Sequence, residues 1–203
     1  FIVFENRFYN AGNPENALDE YRKMAELSEH PADILVRAAQ VFMMNEYYPQ
    51  ALELYRELLQ SVPDDDRYHY SLGVAFLQTE QSDSALSHMQ KAMELNPEET
   101  RYIQAVSNLQ MIEGMNNQAI ETLQWGIQEN PDDVMLYNLL GSTLQRQERF
   151  DEALKVLEQA IEIDSNAIGP YITKGFIHDE MGDYDKAIET YQTAVEIDSI
   201  YPL

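Results

Sequence analysis

The chain has 203 residues with 36 acidic and 13 basic side chains, which gives a formal net charge of −23. A surface this acidic repels phosphate backbones and anionic lipid headgroups, which disfavours nucleic acid and membrane surfaces as partners. The hydrophobic fraction of 44% is sufficient for a packed core, and no apolar run is long enough to span a bilayer. The chain has no cysteine, which excludes disulfides and thiolate chemistry but leaves cytoplasmic, periplasmic and secreted locations open.

A period of 34 residues runs through the whole chain. Alanine recurs at this interval without insertion or deletion, at Ala17, Ala51, Ala85, Ala119, Ala153 and Ala187. A large side chain follows each alanine by four residues, at Tyr21, Tyr55, Met89, Leu123, Leu157 and Tyr191. A small residue precedes five of the six alanines by twelve positions, at Ala39, Gly73, Ser107, Gly141 and Gly175. Small residues in this register allow two helices to approach closely, and the large ones fill the space beside them.

This pattern resembles the tetratricopeptide repeat, a 34-residue pair of helices. The resemblance implies an all-α fold, a right-handed superhelical solenoid of antiparallel helix pairs, with the first helix of each pair on the concave face. The six predicted repeats form one array and cover residues 1–31, 32–65, 66–99, 100–133, 134–167 and 168–201. Repeat 1 lacks its first turn, so we expect the sequence to begin inside a longer protein.

Glycines and acidic pairs mark the predicted helix ends. Gly12, Gly114 and Gly182 share one repeat position just after a first helix, where a left-handed residue ends a helix at low cost. The acidic runs 64–66, 98–99 and 132–133 fall at the starts of first helices. Carboxylates there accept hydrogen bonds from unsatisfied N–H groups, and this interpretation is favoured over calcium binding, because no ligand loop with a central glycine is present.

The four histidines do not indicate chemistry. His30, His69, His88 and His178 have no metal-ligand spacing, and the sequence ties no nucleophile or carboxylate to any of them. The glycines belong to helix packing and capping and form no phosphate-binding loop. We therefore predict that the chain has no catalytic residue, no metal ion and no cofactor.

The resemblance places partner binding on one stripe of each first helix, formed by positions 2, 5, 6, 9, 12 and 13 of the repeat. This groove stripe has four arginines and three acidic residues, whereas the remainder of the chain has nine basic and 33 acidic ones. Arginine suits bidentate capture of carboxylates, and methionine and aromatic side chains suit apolar anchors. The alternative is that these side chains solvate the groove wall or pack between neighbouring helices. The predicted partner-binding residues are Arg37, Arg67, Tyr70, Arg101, Asn108, Met111, Asn138, Arg146 and Phe176.

A carboxylate clamp, with which some tetratricopeptide co-chaperones hold chaperone tails, is incomplete in this sequence. Asn6 matches the clamp and Arg67 keeps the charge, but Ile2 and Ser71 depart from it and Arg37 is a substitution. Binding of chaperone tails is therefore not predicted.

The predicted function is that of a non-catalytic scaffold or adaptor, which binds an extended or helical segment of another protein in its concave groove. The arginines favour an acidic segment. The alternatives are a self-assembling structural module and the regulatory arm of a larger protein. Self-assembly would use the terminal repeats, because the last helix has an apolar stripe that includes Ile188, Tyr191 and Val195.

Overall fold

The computed structural model of the protein describes residues 13–200, apart from the side chain of Ile200. These residues form eleven α-helices and no strand: α1 Pro14–Glu26, α2 Pro31–Met44, α3 Tyr48–Ser61, α4 Asp66–Gln78, α5 Ser82–Leu95, α6 Thr100–Ile112, α7 Asn116–Glu129, α8 Val134–Gln145, α9 Phe150–Ile163, α10 Ile168–Glu180 and α11 Tyr184–Ile200. The predicted all-α fold of antiparallel helix pairs is confirmed. The predicted first helix of repeat 1, with Asn6 and Gly12, lies outside the described residues.

The chain divides into two compact halves. The N-terminal half, Phe1–Asn96, contains α1 to α5, and the C-terminal half, Pro97–Leu203, contains α6 to α11. Within each half, every helix packs against its neighbour in sequence, and in the C-terminal half the first helices of consecutive repeats also meet, as α8 and α10 do. No helix among the described residues is long and apolar enough to cross a membrane.

The small and large residues of the period pack as the sequence predicts. A Cβ built on Gly73 would lie 2.7 Å from Met89 Cγ, and one built on Gly141 would lie 2.7 Å from Leu157 Cδ2. Ala85 and Ala153, which face these contacts on the second helices, are completely buried. The close approach of the two helices in a pair therefore depends on the absence of a side chain at one position of the first helix.

The turn inside each helix pair uses one backbone conformation but different residues. Gly114 and Gly182 have φ angles of 74° and 81°, which confirms their predicted role. The same repeat position holds Glu46, Glu80 and Glu148, with φ angles of 63°, 60° and 58°. In each case the next N–H bonds to the carbonyl five residues earlier, as in the 2.7 Å bond from Met115 to Gln110. This hydrogen-bonded closure holds three glutamates in a conformation that L-residues disfavour.

The acidic residues at the helix starts follow the prediction in part. Asp65 accepts hydrogen bonds from the N–H groups of Arg67 and Tyr68, at 3.0 and 3.2 Å, and Asp133 accepts one from Met135 at 2.9 Å. Glu99 makes no such bond to its helix, so the prediction is wrong there. The side chain of glutamate is one methylene longer than that of aspartate, which makes it a poor helix cap.

Candidate functional site

An open cavity of about 390 Å³ lies on the first-helix face of the N-terminal half. Its wall combines side chains from α2, α3 and α4: Asp33, Val36, Arg37, Gln40, Tyr55, Arg67, Tyr68 and Ser71. Both arginines predicted for this half therefore line one cavity, with an amide and a hydroxyl between them. Tyr70, on the same helix as Arg67, is half-buried and is not among the lining residues.

Arg67 is held by the cap of its own helix. Its guanidinium makes two hydrogen bonds to the Asp65 carboxylate, from Nη2 at 2.7 Å and from Nε at 3.2 Å. The same guanidinium lies 5.7 Å from the centroid of the Tyr68 ring. The hydrogen bond and charge of Asp65 raise the pKa of Arg67 above its ordinary value. A partner carboxylate at Arg67 must therefore share the guanidinium with Asp65. The stripe charge alone overstates the positive potential of this site.

The floor of the cavity is a buried phenol. Tyr55 on α3 is almost completely buried, and burial raises the pKa of its hydroxyl, while a hydrogen bond with Ser71 acts in the opposite direction. The phenol thus stays neutral near pH 7 and fixes the hydroxyl of Ser71 on the facing helix. This contact gives the cavity a rigid base against which a ligand can pack.

In the C-terminal half, Arg101 repeats the arrangement of Arg67. Its Nη2 lies 3.6 Å from the Glu99 carboxylate, and its guanidinium lies 5.4 Å from the ring centroid of Tyr102. The arginine follows the acid by two positions in both cases, so the repeat itself sets the pairing. The sequence analysis missed it because the acids were assigned only to helix capping.

A sulfur contact joins two repeats of the groove stripe in the C-terminal half. The Met111 sulfur lies 3.0 Å from Thr143 Oγ1, whose hydroxyl also lies 2.7 Å from the Leu139 carbonyl oxygen, and 4.0 Å from Arg146 Nη1. One repeat further on, Asn138 Oδ1 accepts a hydrogen bond of 2.9 Å from Thr173. Asn138 therefore has a structural partner in the next first helix, while its exposed neighbour along the stripe, Asn108, faces solvent.

The C-terminal stripe also exposes large apolar side chains. Phe176 is 51% exposed even though its ring makes an edge contact with Tyr191, and Ile112 and Met135 are more exposed still, at 76% and 59%.

A recess of about 970 Å³, larger than the cavity of the N-terminal half, lies at the helix starts of the C-terminal half. Five carboxylates and no basic residue line it: Glu98, Glu129, Asp132, Asp133 and Asp164. The C-terminal half thus offers apolar contacts beside a surface that repels anions.

Two histidines that the sequence analysis treated as independent are bonded to each other. His69 Nδ1 and His88 Nδ1 are 3.0 Å apart, across the pair formed by α4 and α5. Their separation of 19 residues concealed the contact, although the repeat register of the two positions predicts it. In the part of the chain that the structure describes, no three histidine, aspartate or glutamate residues are arranged to hold a metal ion.

Stacked helix pairs with an open, ligand-sized cavity on their first helices define the class of helical-repeat scaffolds. The chain belongs to the tetratricopeptide repeat family, because models of that repeat match residues 6–65, 36–100 and 132–200. The family consists of protein-interaction modules that are generally non-catalytic, and this chain is accordingly a protein-interaction scaffold. No curated protein matches the sequence.

Solved structures show the same fold at low sequence identity. A crystal structure of MamA is 19% identical with a TM-score of 0.67, and the match covers 79% of this chain and 94% of that one. MamA 41-end from Desulfovibrio magneticus RS-1 is 18% identical with a TM-score of 0.69, covering 85% and 97%. YrrB, described as a TPR protein with an unusual peptide-binding site, is 19% identical with a TM-score of 0.64, covering 89% and 93%.

Proposed function

We propose that the chain is a non-catalytic adaptor that binds an extended or helical segment of a partner protein along its first helices. The observation that carries this proposal is the cavity of the N-terminal half, where Arg37, Gln40, Arg67 and Ser71 converge. These groups can donate hydrogen bonds to carbonyl and carboxylate oxygens, which every peptide segment offers. The peptide-binding site reported for YrrB, a protein of the same fold, supports the same function.

The cavity favours a partner residue with a carboxylate. Arg37 and Arg67 bring two positive charges to the wall, and Asp33 together with the Asp65 cap brings two negative ones. The wall is therefore close to neutral, and an incoming carboxylate would be held by the directional N–H groups of the two guanidiniums, which it would share with their present partners. We therefore propose an acidic residue of the partner for this cavity, with Gln40 and Ser71 bonding to its backbone.

The C-terminal stripe suits an apolar part of the same partner or of another one. Met135, Ile112 and Phe176 are the exposed contacts, and the thioether of Met111 adds a polarizable surface beside Arg146. Flexible methionine and aromatic side chains accommodate leucine-like anchors of an amphipathic segment.

Charge reversal of the cavity tests the proposal. The variant combines Arg37→Glu with Arg67→Glu, and partner capture from the native lysate should fall at least tenfold relative to wild type. A glutamate at the start of α4 is compatible with the helix, because negative charge is favourable in the first turn. The matched control reverses Lys23 and Lys155, which are exposed on second helices and carry the same total charge. Equal capture by both variants and wild type would show that the cavity is not the binding site.

Self-association is a second candidate function, and it is favoured by exposed apolar residues on α11. Tyr184, Ile188 and Val195 all lie largely in solvent on this helix. Sedimentation velocity over a hundredfold range of concentration distinguishes the two functions: a scaffold for other proteins stays at one sedimentation coefficient, whereas a self-assembling module does not. Ile188→Ser with Val195→Ser should abolish any association that depends on this helix.

A further inference from the structure

One polar contact recurs at the start of three first helices. His69 Nε2 lies 2.9 Å from the carbonyl of Pro63, and the hydroxyls of Tyr137 and Tyr171 lie 3.0 and 3.2 Å from the carbonyls of Pro131 and Ser165. Each bond spans six residues and joins the first helix to the turn that precedes it. A carbonyl only accepts, so the tyrosine hydroxyls donate, and the equivalent His69 Nε2 must carry a hydrogen as well.

This contact determines how the two histidines are bonded. With its hydrogen on Nε2, neutral His69 presents a lone pair at Nδ1, so His88 Nδ1–H donates to it across 3.0 Å. The ring centroids are 5.2 Å apart. The His88 ring also stacks on the Phe76 ring, with their centroids 5.5 Å apart. The guanidinium of Arg56, on α3, lies 5.2 Å from the centroid of the Phe76 ring. The stack therefore connects α3, α4 and α5 through side chains in a fixed order.

The hydrogen bond between the two rings survives the uptake of one proton but not of two. One added proton leaves a single N–H between the two Nδ1 atoms, so the hydrogen bond persists. A second proton places two N–H groups and two positive charges against each other at this distance, and the bond is lost. We propose that the His69–His88 hydrogen bond is an acid-sensitive clasp that joins α4 to α5 near neutral pH and opens when both rings are protonated.

The surroundings of the clasp favour the uncharged state. Burial, followed by the proximity of His69 and then of Arg56, holds the pKa of His88 below its ordinary value. The other charged groups nearby are Lys91, one turn after His88 on α5, and Asp64 in the turn, which pair at 3.8 Å and largely cancel. Because the native state binds fewer protons than the unfolded one, stability is lost as the pH falls below about 6.5.

The clasp also reaches the cavity of the N-terminal half. Pro63, whose carbonyl it holds, lies two residues before Asp65, and Asp65 holds Arg67. Opening leaves the Nε2–H of His69 on the Pro63 carbonyl but removes the tie between α5 and α4, which carries Arg67 and Ser71 of this wall, so acid should weaken partner binding; this consequence alone rests on the proposed function. The clasp itself can be tested without any partner.

The direct measurement is the scalar coupling across the N–H···N hydrogen bond in the uniformly ¹⁵N-labelled chain. We expect a coupling between the two Nδ1 atoms at pH 7.5 and its disappearance in acid. Amide exchange of α4, corrected for the intrinsic rate, should show an opening constant that rises as the pH falls, by up to about tenfold per pH unit where the closed clasp already holds one proton and more steeply where it holds none.

The chain itself supplies a matched variant. Thr122 and Thr190 occupy the position of His88 in repeats 4 and 6, so His88→Thr is compatible with the helix pair. It leaves His69 bonded to Pro63 and should flatten the pH response of α4, whereas His30→Gln, in an exposed turn, should leave the response unchanged. Absence of the Nδ1–Nδ1 coupling at pH 7.5 would overturn the proposal, and so would an unchanged pH response in His88→Thr. Because the coupling is measured in the wild-type chain, it decides the question even if the variant does not fold.

Discussion

The two halves of the chain use the same helix-pair architecture but differ in the chemistry of their first-helix faces. In the N-terminal half, Arg37 and Arg67 line a polar cavity of about 390 Å³. In the C-terminal half, Phe176 and Met135 are exposed on the stripe, and a recess at the helix starts has five carboxylates and no basic residue. The two halves therefore present different surfaces, one with charged and polar donors and one with exposed apolar side chains.

The difference shows which positions carry structure and which carry specificity. Positions that face the partner helix of a pair, such as Gly73 and Gly141, are small in both halves because the helices meet there. Positions on the stripe vary freely, from Gln40 through Val74 and Asn108 to Ser142 and Phe176. The packing positions are thus constrained by the fold, while the stripe positions are available for recognition.

The largest effect is expected at a close helix contact. Gly141→Val should lower the free energy of unfolding by about 3 kcal/mol, because the new side chain collides with Leu157, which is fully buried and cannot move aside. Urea denaturation followed by circular dichroism measures the change. Ser142→Val is the control, since Val74 occupies that position in repeat 3, and it should change stability by less than about 0.5 kcal/mol. Equal effects of the two substitutions would refute the close-contact account.

The buried histidine of the C-terminal half should make its stability depend on pH. Burial, and then Lys174 and Lys186, lower the pKa of His178, and its Nδ1 has no hydrogen-bond partner among the described residues. The folded state therefore resists protonation, and stability is retained above pH 6.5 and lost as the pH falls, by at most about 1.4 kcal/mol per pH unit.

His178→Gln should remove this dependence. Gln110 occupies the same position in repeat 4 and accepts a hydrogen bond of 2.9 Å from Thr122, whose counterpart here is Thr190. Amide exchange of α10 at pH 7 and pH 5 measures the effect separately from that of the N-terminal half. A pH response that is unchanged in the variant would assign the dependence to other groups.

The two aspartate caps should differ slightly in strength. Asp133→Ala should cost about 1 kcal/mol for the lost N–H bond to Met135, and Asp65→Ala about 0.5 kcal/mol more, because Asp65 also accepts a second N–H, from Tyr68, and holds the exposed Arg67. Thermal unfolding of the two variants gives the comparison. If Asp65→Ala is no worse than Asp133→Ala, neither the second N–H bond nor the ion pair with Arg67 adds to stability.

The smallest effect concerns the left-handed turn residues. Glu80→Gly should stabilise the N-terminal half by about 0.5 kcal/mol, since the strain removed exceeds the added freedom of the unfolded chain. Gly114→Ala should destabilise the C-terminal half by about 1 kcal/mol, although a Cβ there meets no atom within 4 Å. The essential result is that the two substitutions change the free energy of unfolding in opposite directions, which chemical denaturation measures.

The features of this protein that recur in every repeat could be predicted from the sequence. The 34-residue spacing of six alanines predicted the helix pairs, and Gly114 and Gly182 correctly predicted two of the turns. The glutamates at the same turn position were not predicted, because hydrogen bonds of the closed turn override the residue preference. The binding site itself stays a prediction. The position of Arg37 and Arg67 follows from the register, whereas their partners depend on side-chain conformations that no periodicity encodes.

The central claim is that partner proteins are held on the first-helix stripe, and site-specific photo-crosslinking tests it most directly. A photoreactive residue is placed at Gln40 and at Asn108, exposed on first helices, and for comparison at Gln60 and Gln124, equally exposed on second helices. We predict that crosslinks to the captured partner form from Gln40, from Asn108 or from both, and not from the second-helix positions. Crosslinks that form only from Gln60 and Gln124 would contradict the account.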